Sequence, residues 1–234
     1  MNSPRVIAYH SPLPDMMSGD GVPMDPVTAH NLMQAPQSSP LLPTMASTLQ
    51  RTREMTLDEL LLENRVIFLV GDIHAGSAAR VMMQMLYLED QKRGQPINFY
   101  INSGGGVVDD TLAIYDTMRF ISSEVHTCCI GRAYSGAAVL LSAGEAGHRA
   151  ILPHANVIIH QPYGGVTGQT TDVKIQADEI IRSKETLNRI LAEHTGQLYD
   201  QVAADSERDK FFRAEEAKAY GLVDEVFEYP TKGK

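Results

Sequence analysis

The sequence predicts an α/β fold class with one folded domain. Two observations support this: the chain has 234 residues of which 43% are hydrophobic, enough for one sizeable core, and strand-like apolar runs alternate with amphipathic helical runs from Met55 onward. The segment before Met55 differs, because residues 1–50 hold eight of the twelve prolines and a single aromatic residue, Tyr9. The folded part therefore begins near Met55.

We divide the chain into three parts on this basis. Residues 1–52 are predicted to form a disordered tail, with a propeptide or a docking arm as the functional alternatives. Residues 53–229 are predicted to form the folded domain, and residues 230–234 a short C-terminal tail.

The predicted elements of the first half alternate in type. They are a helix opened by a capping box at Thr56 and running through Leu62, a buried strand at 66–71, an amphipathic helix at 77–93, a strand at 95–103, a helix with Val108, Leu112, Tyr115 and Met118 on one face, and a strand at 125–130.

The second half continues the alternation. It is predicted to contain a buried helix after Ser135, short strands at 148–152 and 156–161, a long helix at 172–194 ended by Gly196, a helix at 214–220 and a strand at 222–227. The long helix is a rod that this core is too small to cover, so we expect it to pack on another subunit. The charged run at 205–210 is interpreted as a solvated face.

Composition bears on the possible partners and the compartment. A net charge of -9 and a pI near 5.3, without a basic cluster, argue against nucleic-acid and membrane binding. The adjacent Cys128 and Cys129 lie in an apolar run and are interpreted as core residues in a reducing compartment. No metal-ligand spacing, secretory signal or membrane-spanning stretch is present, so we expect a soluble, cytoplasmic protein without a metal or cofactor.

A run of three glycines, residues 104–106, follows Ser103 between a strand and a helix. Such a run presents backbone amides to an anion, either a phosphate or the oxyanion of an acyl-transfer intermediate. The run lacks Gly-x-Gly-x-x-Gly spacing and the chain has no Gly-Lys-Ser/Thr motif, so nucleotide binding is disfavoured. A plain tight turn remains the alternative.

Residues 131–144 surround Ser135, where a strand is predicted to turn into a buried helix. This is a position suited to a nucleophile, because the small residues from Gly136 onward allow close approach and the first helix amides favour negative charge. A helix-capping serine is the alternative. His160 ends an apolar strand, where a lone histidine is more often a partly buried structural residue than a catalyst.

Several segments together resemble the ClpP family, the proteolytic subunit of the ATP-dependent Clp protease. The matching segments are residues 99–106, 114–118, 131–144, 159–165, 194–197 and 206–212. The resemblance extends from about Leu60 to Phe227 and thus covers essentially the whole folded part. It implies that residues 53–229 are a peptidase domain of crotonase-like fold, with repeated ββα units and the 172–194 helix as a protruding handle.

The resemblance also implies a function and its residues. Ser135 would be the nucleophile, His160 the general base and Asp209 the acid that orients it, while the backbone amides of Gly106 and Gly136 would form the oxyanion hole. The chain would be a serine endopeptidase in a double heptameric ring, homo- or hetero-oligomeric, fed with unfolded proteins by a separate AAA+ unfoldase. Arg208 would lie at the contact between the rings.

Three departures from the family pattern keep an alternative open. Gly136 and its neighbours replace the usual residues after the nucleophile, Gly104 replaces a proline, and Asn98 stands where an aromatic often helps form the unfoldase docking pocket. The alternative is a catalytically weak or inactive ring subunit that assembles with an active ClpP paralogue. A crotonase-type acyl-CoA enzyme is a third hypothesis, but it leaves Ser135, His160 and Asp209 without a joint explanation.

Overall fold

The structure is a computed structural model that describes residues 55–165 and 167–229. The predicted tails, residues 1–52 and 230–234, lie outside the described residues. The elements follow in this order: α1 (Leu57–Glu63), β1 (Val66–Val70), α2 (Ala75–Gln91), β2 (Ile97–Ser103), α3 (Val108–Phe120), β3 (Val125–Tyr134), α4 (Gly136–Ser142), β4 (Arg149–Ile151), β5 (Asn156–Ile159), α5 (Thr170–Thr195), α6 (Tyr199–Asp205), β6 (Lys210–Arg213), α7 (Ala214–Tyr220) and β7 (Glu225–Val226).

The sheet is mostly parallel and is organised around β3. Strands β1, β2, β3, β4 and β7 lie side by side in parallel, while β6 pairs with β5 in antiparallel orientation. Because β3 has ten residues, its first half pairs with β4 and its second half with β5. The second half therefore leads directly into the turn at Ser135. The predicted α/β class is confirmed.

The core lies on one face of the sheet and follows from alternation along the strands. In β2 every second side chain is buried, including Phe99 and Ile101. These side chains share one buried cluster with Met85 of α2 and Ile114 of α3. None of the helices in the described part of the chain combines the length and apolar composition that crossing a bilayer requires.

The structure corrects three details of the prediction. Strand β3 continues beyond residue 130 to Tyr134, and the predicted last strand is reduced to Glu225–Val226 because only these two residues pair with β4. Neither α6 nor β6 was predicted. Only Val202 of the seven residues of α6 is buried, so this helix shows no helical periodicity of apolar residues in the sequence.

One ion pair connects the second half of the domain. Arg149 donates from Nη2 and Nε to the Asp224 carboxylate at 2.5 and 2.9 Å, and from Nη1 to the carbonyl oxygens of Ser142 and His194 at 3.1 and 2.7 Å. Partial burial acts to raise the pKa of Asp224, but the hydrogen bonds and charge of Arg149 hold it below its ordinary value of 3.8. The pair thus fixes β4 against the ends of α4 and α5.

We expect Asp224→Ala to lower the free energy of unfolding by about 3 kcal/mol, because it leaves the buried Arg149 charge without a counter-ion. Since the pKa of Asp224 is lowered by folding, its contribution is present above pH 3.8 and is lost as pH falls below that value. Urea unfolding of wild type and variant should therefore converge in acid. The exposed neighbour Glu225 provides the control, and Glu225→Ala should change stability by less than about 0.5 kcal/mol. An equal loss in both variants would contradict this account.

Candidate active site

Ser135 occupies a strained turn between β3 and α4. Its φ is 55° and its ψ is -124°, a backbone conformation that costs a residue with a side chain about 1–3 kcal/mol. The Ser135 amide donates to the carbonyl oxygen of Ile158 at 2.8 Å, and every residue of α4 is buried. Although Ser135 holds the N-cap position, its hydroxyl makes no capping hydrogen bond. The geometry therefore favours the nucleophile interpretation over the capping one.

Two glycines allow the backbone to close around Ser135. A Cβ at Gly136 would lie 2.4 Å from Thr111 Oγ1, closer than real contacts allow. Gly105 has a φ of 84°, and a Cβ there would lie 2.7 Å from the Ser135 Cβ. The absence of a side chain at Gly105 lets the glycine loop approach Ser135, and the absence of one at Gly136 lets α4 approach α3.

The amides predicted for the oxyanion hole have no competing backbone partner. Ile73 holds the glycine loop by donating to the Gly105 carbonyl at 2.8 Å and accepting from the Val107 amide at 2.9 Å. Within the described residues, neither the Gly106 nor the Gly136 amide donates to a backbone acceptor. Both glycines line the same cavity as Ser135, so both amides are available to an anion there.

Ser135 and His160 line one cavity of about 480 Å³. Its walls come from the glycine loop, the start of α4, Tyr163 and Leu187 of α5. His160 follows β5, and its side chain is 16% exposed. Among the described residues no hydrogen bond joins Ser135 to His160, so the structure brings the two groups to the same cavity without joining them.

Asp209 lies near His160 but is not among the residues that line the Ser135 cavity. The distance from Asp209 Oδ1 to His160 Nδ1 is 3.9 Å, beyond hydrogen-bonding range, and the Asp209 side chain is 66% exposed. The neighbouring acid, Asp205, is engaged elsewhere, since its carboxylate accepts from Lys210 Nζ at 2.6 Å and from Tyr220 at 3.0 Å. The interpretation of residues 205–210 as one solvated face is therefore wrong at Asp205, whose side chain is 13% exposed.

Side chains that the sequence did not reveal hold the loop that carries Asp209. Lys184 of α5 donates to Gln161 Oε1 at 2.9 Å and to Glu207 Oε2 at 2.7 Å. The backbone amide of Gln161 donates to the Ser206 carbonyl oxygen at 2.5 Å. The one signal for these contacts in the sequence was that Gln161 is adjacent to His160. The contact with Lys184 could not be predicted, because it depends on the path of α5. The contacts of Lys184 with Gln161 and Glu207, the Lys184 clamp, fix the loop beside His160.

The two cysteines are not competing nucleophiles. Both are buried and free, as predicted for core residues. Burial raises the pKa of Cys128 to about 11 and that of Cys129 to about 12, so both thiols stay protonated at neutral pH. The described lining residues of the cavity include no group of three metal-ligating side chains.

Comparison with known proteins identifies the family. The family model described as Clp protease matches residues 49–230. The ATP-dependent Clp protease proteolytic subunit 1 of Rhodopirellula baltica (strain DSM 10527 / NCIMB 13988 / SH1) is 51% identical over 177 residues, which cover 76% of this chain and 78% of that protein. The predicted resemblance is thereby confirmed, and the parallel-dominated α/β sheet agrees with it. This chain belongs to the Clp protease family.

Proposed function

We propose that this chain is the serine endopeptidase subunit of a self-compartmentalised, ATP-dependent protease that hydrolyses peptide bonds of unfolded proteins and short peptides. Membership of the family supports a Clp protease peptidase. The observation that carries the proposal of a serine peptidase is the placement of Ser135. Its hydroxyl makes no helix-capping hydrogen bond, and the residue lies on a strained turn that lines the same cavity as His160.

In the proposed mechanism Ser135 Oγ attacks the scissile carbonyl carbon while His160 accepts its proton. His160 then returns that proton to the leaving amine, and a water molecule activated by His160 hydrolyses the acyl-enzyme. Asp209 holds the imidazole in the required tautomer and stabilises its cationic form. The amides of Gly106 and Gly136 donate to the developing oxyanion, which their lack of backbone partners permits.

The proposed triad needs a small closing movement. The Asp209 carboxylate must approach His160 from 3.9 Å, and Ser135 must gain its hydrogen bond to the imidazole. Catalytic hydrogen bonds are commonly long until substrate binds, so this geometry is compatible with catalysis. The exposed Asp209 carboxylate has room for such a movement.

Assembly with further copies is part of the proposal. Helix α5 has 26 residues and is therefore about 39 Å long, yet its buried residues lie only between Leu187 and Leu191. Ile175 and Ile181 on its first part are 63% and 54% exposed. We infer that this helix, the handle, packs on another subunit of a double heptameric ring. We further propose that the ring acts in the cytoplasm and that residues 1–52 form a tail or propeptide. A separate AAA+ unfoldase would supply ATP hydrolysis, in keeping with the ATP-dependent protease named for the relative.

The alternative function is a catalytically weak or inactive ring subunit that needs an active paralogue. The 66% exposure of the Asp209 side chain and the absence of a Ser135–His160 hydrogen bond in the described residues favour it. The two functions differ in one measurable respect, because only the first predicts peptide cleavage by the purified chain without a paralogue.

We expect Ser135→Ala to lower kcat for a short fluorogenic peptide by about 10³-fold or more, because the proposed nucleophile is lost. Particle size, measured by light scattering, should not change. Ser142→Ala provides the control, since Ser142 ends the helix that Ser135 precedes but does not line the cavity. Wild-type cleavage by Ser135→Ala would refute the assignment, and an inactive wild-type ring would favour the alternative.

Gly136→Ala should lower kcat by about 10²-fold, because its Cβ would collide with Thr111 Oγ1 and displace an oxyanion donor. Thr111→Ala removes the colliding atoms, so the double variant should recover part of the lost activity relative to Thr111→Ala alone. Peptide kinetics on the four proteins of this cycle measure the coupling. Strictly additive effects would contradict the steric explanation.

Asp209 and Asp205 should respond differently to the same substitution. Asp209→Asn should lower kcat by about 10²-fold or more with little change in unfolding, since its side chain is exposed and faces His160. Asp205→Asn should instead lower the free energy of unfolding by about 1–3 kcal/mol, because it weakens the contacts with Lys210 and Tyr220. Kinetics and urea unfolding of both variants test this contrast. Full activity of Asp209→Asn would exclude it as the orienting acid.

A further inference from the structure

We propose that Glu124, His126 and His148 form a binding site for a divalent transition-metal ion, with Zn²⁺ as the best-matched ion. One carboxylate oxygen and one nitrogen from each imidazole lie within 4.8 Å of one another. The site is separate from the cavity of Ser135, and it stands independently of the proposed peptidase activity.

The two imidazoles are stacked face to face. Their ring centroids are 4.0 Å apart and the ring planes differ by 6°. His126 Nε2 lies 3.3 Å from Glu124 Oε2. Two ligands of a tetrahedral zinc ion, each at about 2.0–2.1 Å, are themselves separated by about 3.3 Å. The first pair therefore already has the required separation, and the two stacked rings must turn so that one nitrogen of each points at the ion.

The sheet fixes this juxtaposition. Thr127 of β3 pairs with Arg149 of β4 in parallel register, which places His126 and His148 beside each other one residue earlier. Glu124 directly precedes β3, and its contact with His126 places its carboxylate on the same side. Spacing along the chain does not reveal the group, since 148 − 126 = 22 residues separate the histidines. This explains why the sequence predicted no metal site.

The local charges suit a cation. Arg149 directly follows His148, but its guanidinium is turned away and neutralised by Asp224. The chain carries a net charge of -9, which raises the local concentration of cations around it. One carboxylate with two imidazoles is a donor set typical of zinc, and it leaves the fourth position for water.

Asn98 extends the same polar row. It is the register partner of His126 on β2, so it shares that face of the sheet. Residues 98, 126 and 148 therefore place three polar side chains across three adjacent strands. Asn98 was singled out in the sequence as a departure from the family pattern, and this row gives it a structural setting.

The first test is calorimetric titration of the full chain with Zn²⁺. The chain has eight histidines, so matched variants rather than total zinc uptake must identify the site. His148→Gln and Glu124→Gln should each weaken the tightest binding event by about tenfold or more, because even an outer partner of a metal ligand contributes that much. His154→Gln, an exposed histidine outside the group, should leave it unchanged. Equal affinity in wild type and His148→Gln would overturn the proposal.

Anomalous diffraction then locates the ion. Crystals of the full chain soaked in Zn²⁺ should show a difference peak about 2.0–2.2 Å from His126, His148 and Glu124. The peak should vanish in His148→Gln crystals treated in the same way. Zinc peaks confined to other residues would overturn the assignment even if the calorimetry showed tight binding.

Discussion

The turn at Ser135 is the constraint on which the site depends. A serine at a φ of 55° is unfavourable by itself, so its surroundings must hold it there. The hydrogen bond to Ile158 ties the turn to β5, and the wholly buried α4 anchors its other end. Close contact with the glycine loop completes the enclosure. The same contacts place Ser135 beside the amides of Gly106 and Gly136, which donate to no backbone acceptor among the described residues. The strain and the proposed chemistry thus have one structural cause.

Local patterns in the sequence were sufficient for much of this arrangement. The capping box at Thr56, the strand that ends at Ser103 and the strand-to-helix change at Ser135 all depend on neighbouring residues, and all are present. Features that depend on distant contacts were missed. Strand β3 continues to Tyr134 because β5 pairs with its second half, and the charged Asp205 is drawn inward by Lys210 and Tyr220. Neither effect produces a periodic pattern of apolar residues in the sequence.

The proposed acid, Asp209, is held near His160 without a hydrogen bond to it. Asp209 lies on a loop clamped to α5 through Lys184 and Glu207, yet its own carboxylate is exposed and 3.9 Å from His160. The same α5 leaves most of its length uncovered within the domain. If that helix packs on another subunit, assembly and the position of Asp209 are connected through the Lys184 clamp.

Covalent labelling is the most direct test of Ser135 as a nucleophile. The purified chain would be treated with a serine-reactive fluorophosphonate, and the adduct located by mass spectrometry of proteolytic fragments. A histidine must activate the serine for this reaction, so the label reports the working pair rather than the residue alone. The account predicts one adduct on Ser135 that is abolished in His160→Gln. An assembled particle that stays unlabelled at Ser135, or that is labelled equally well in His160→Gln, would contradict it.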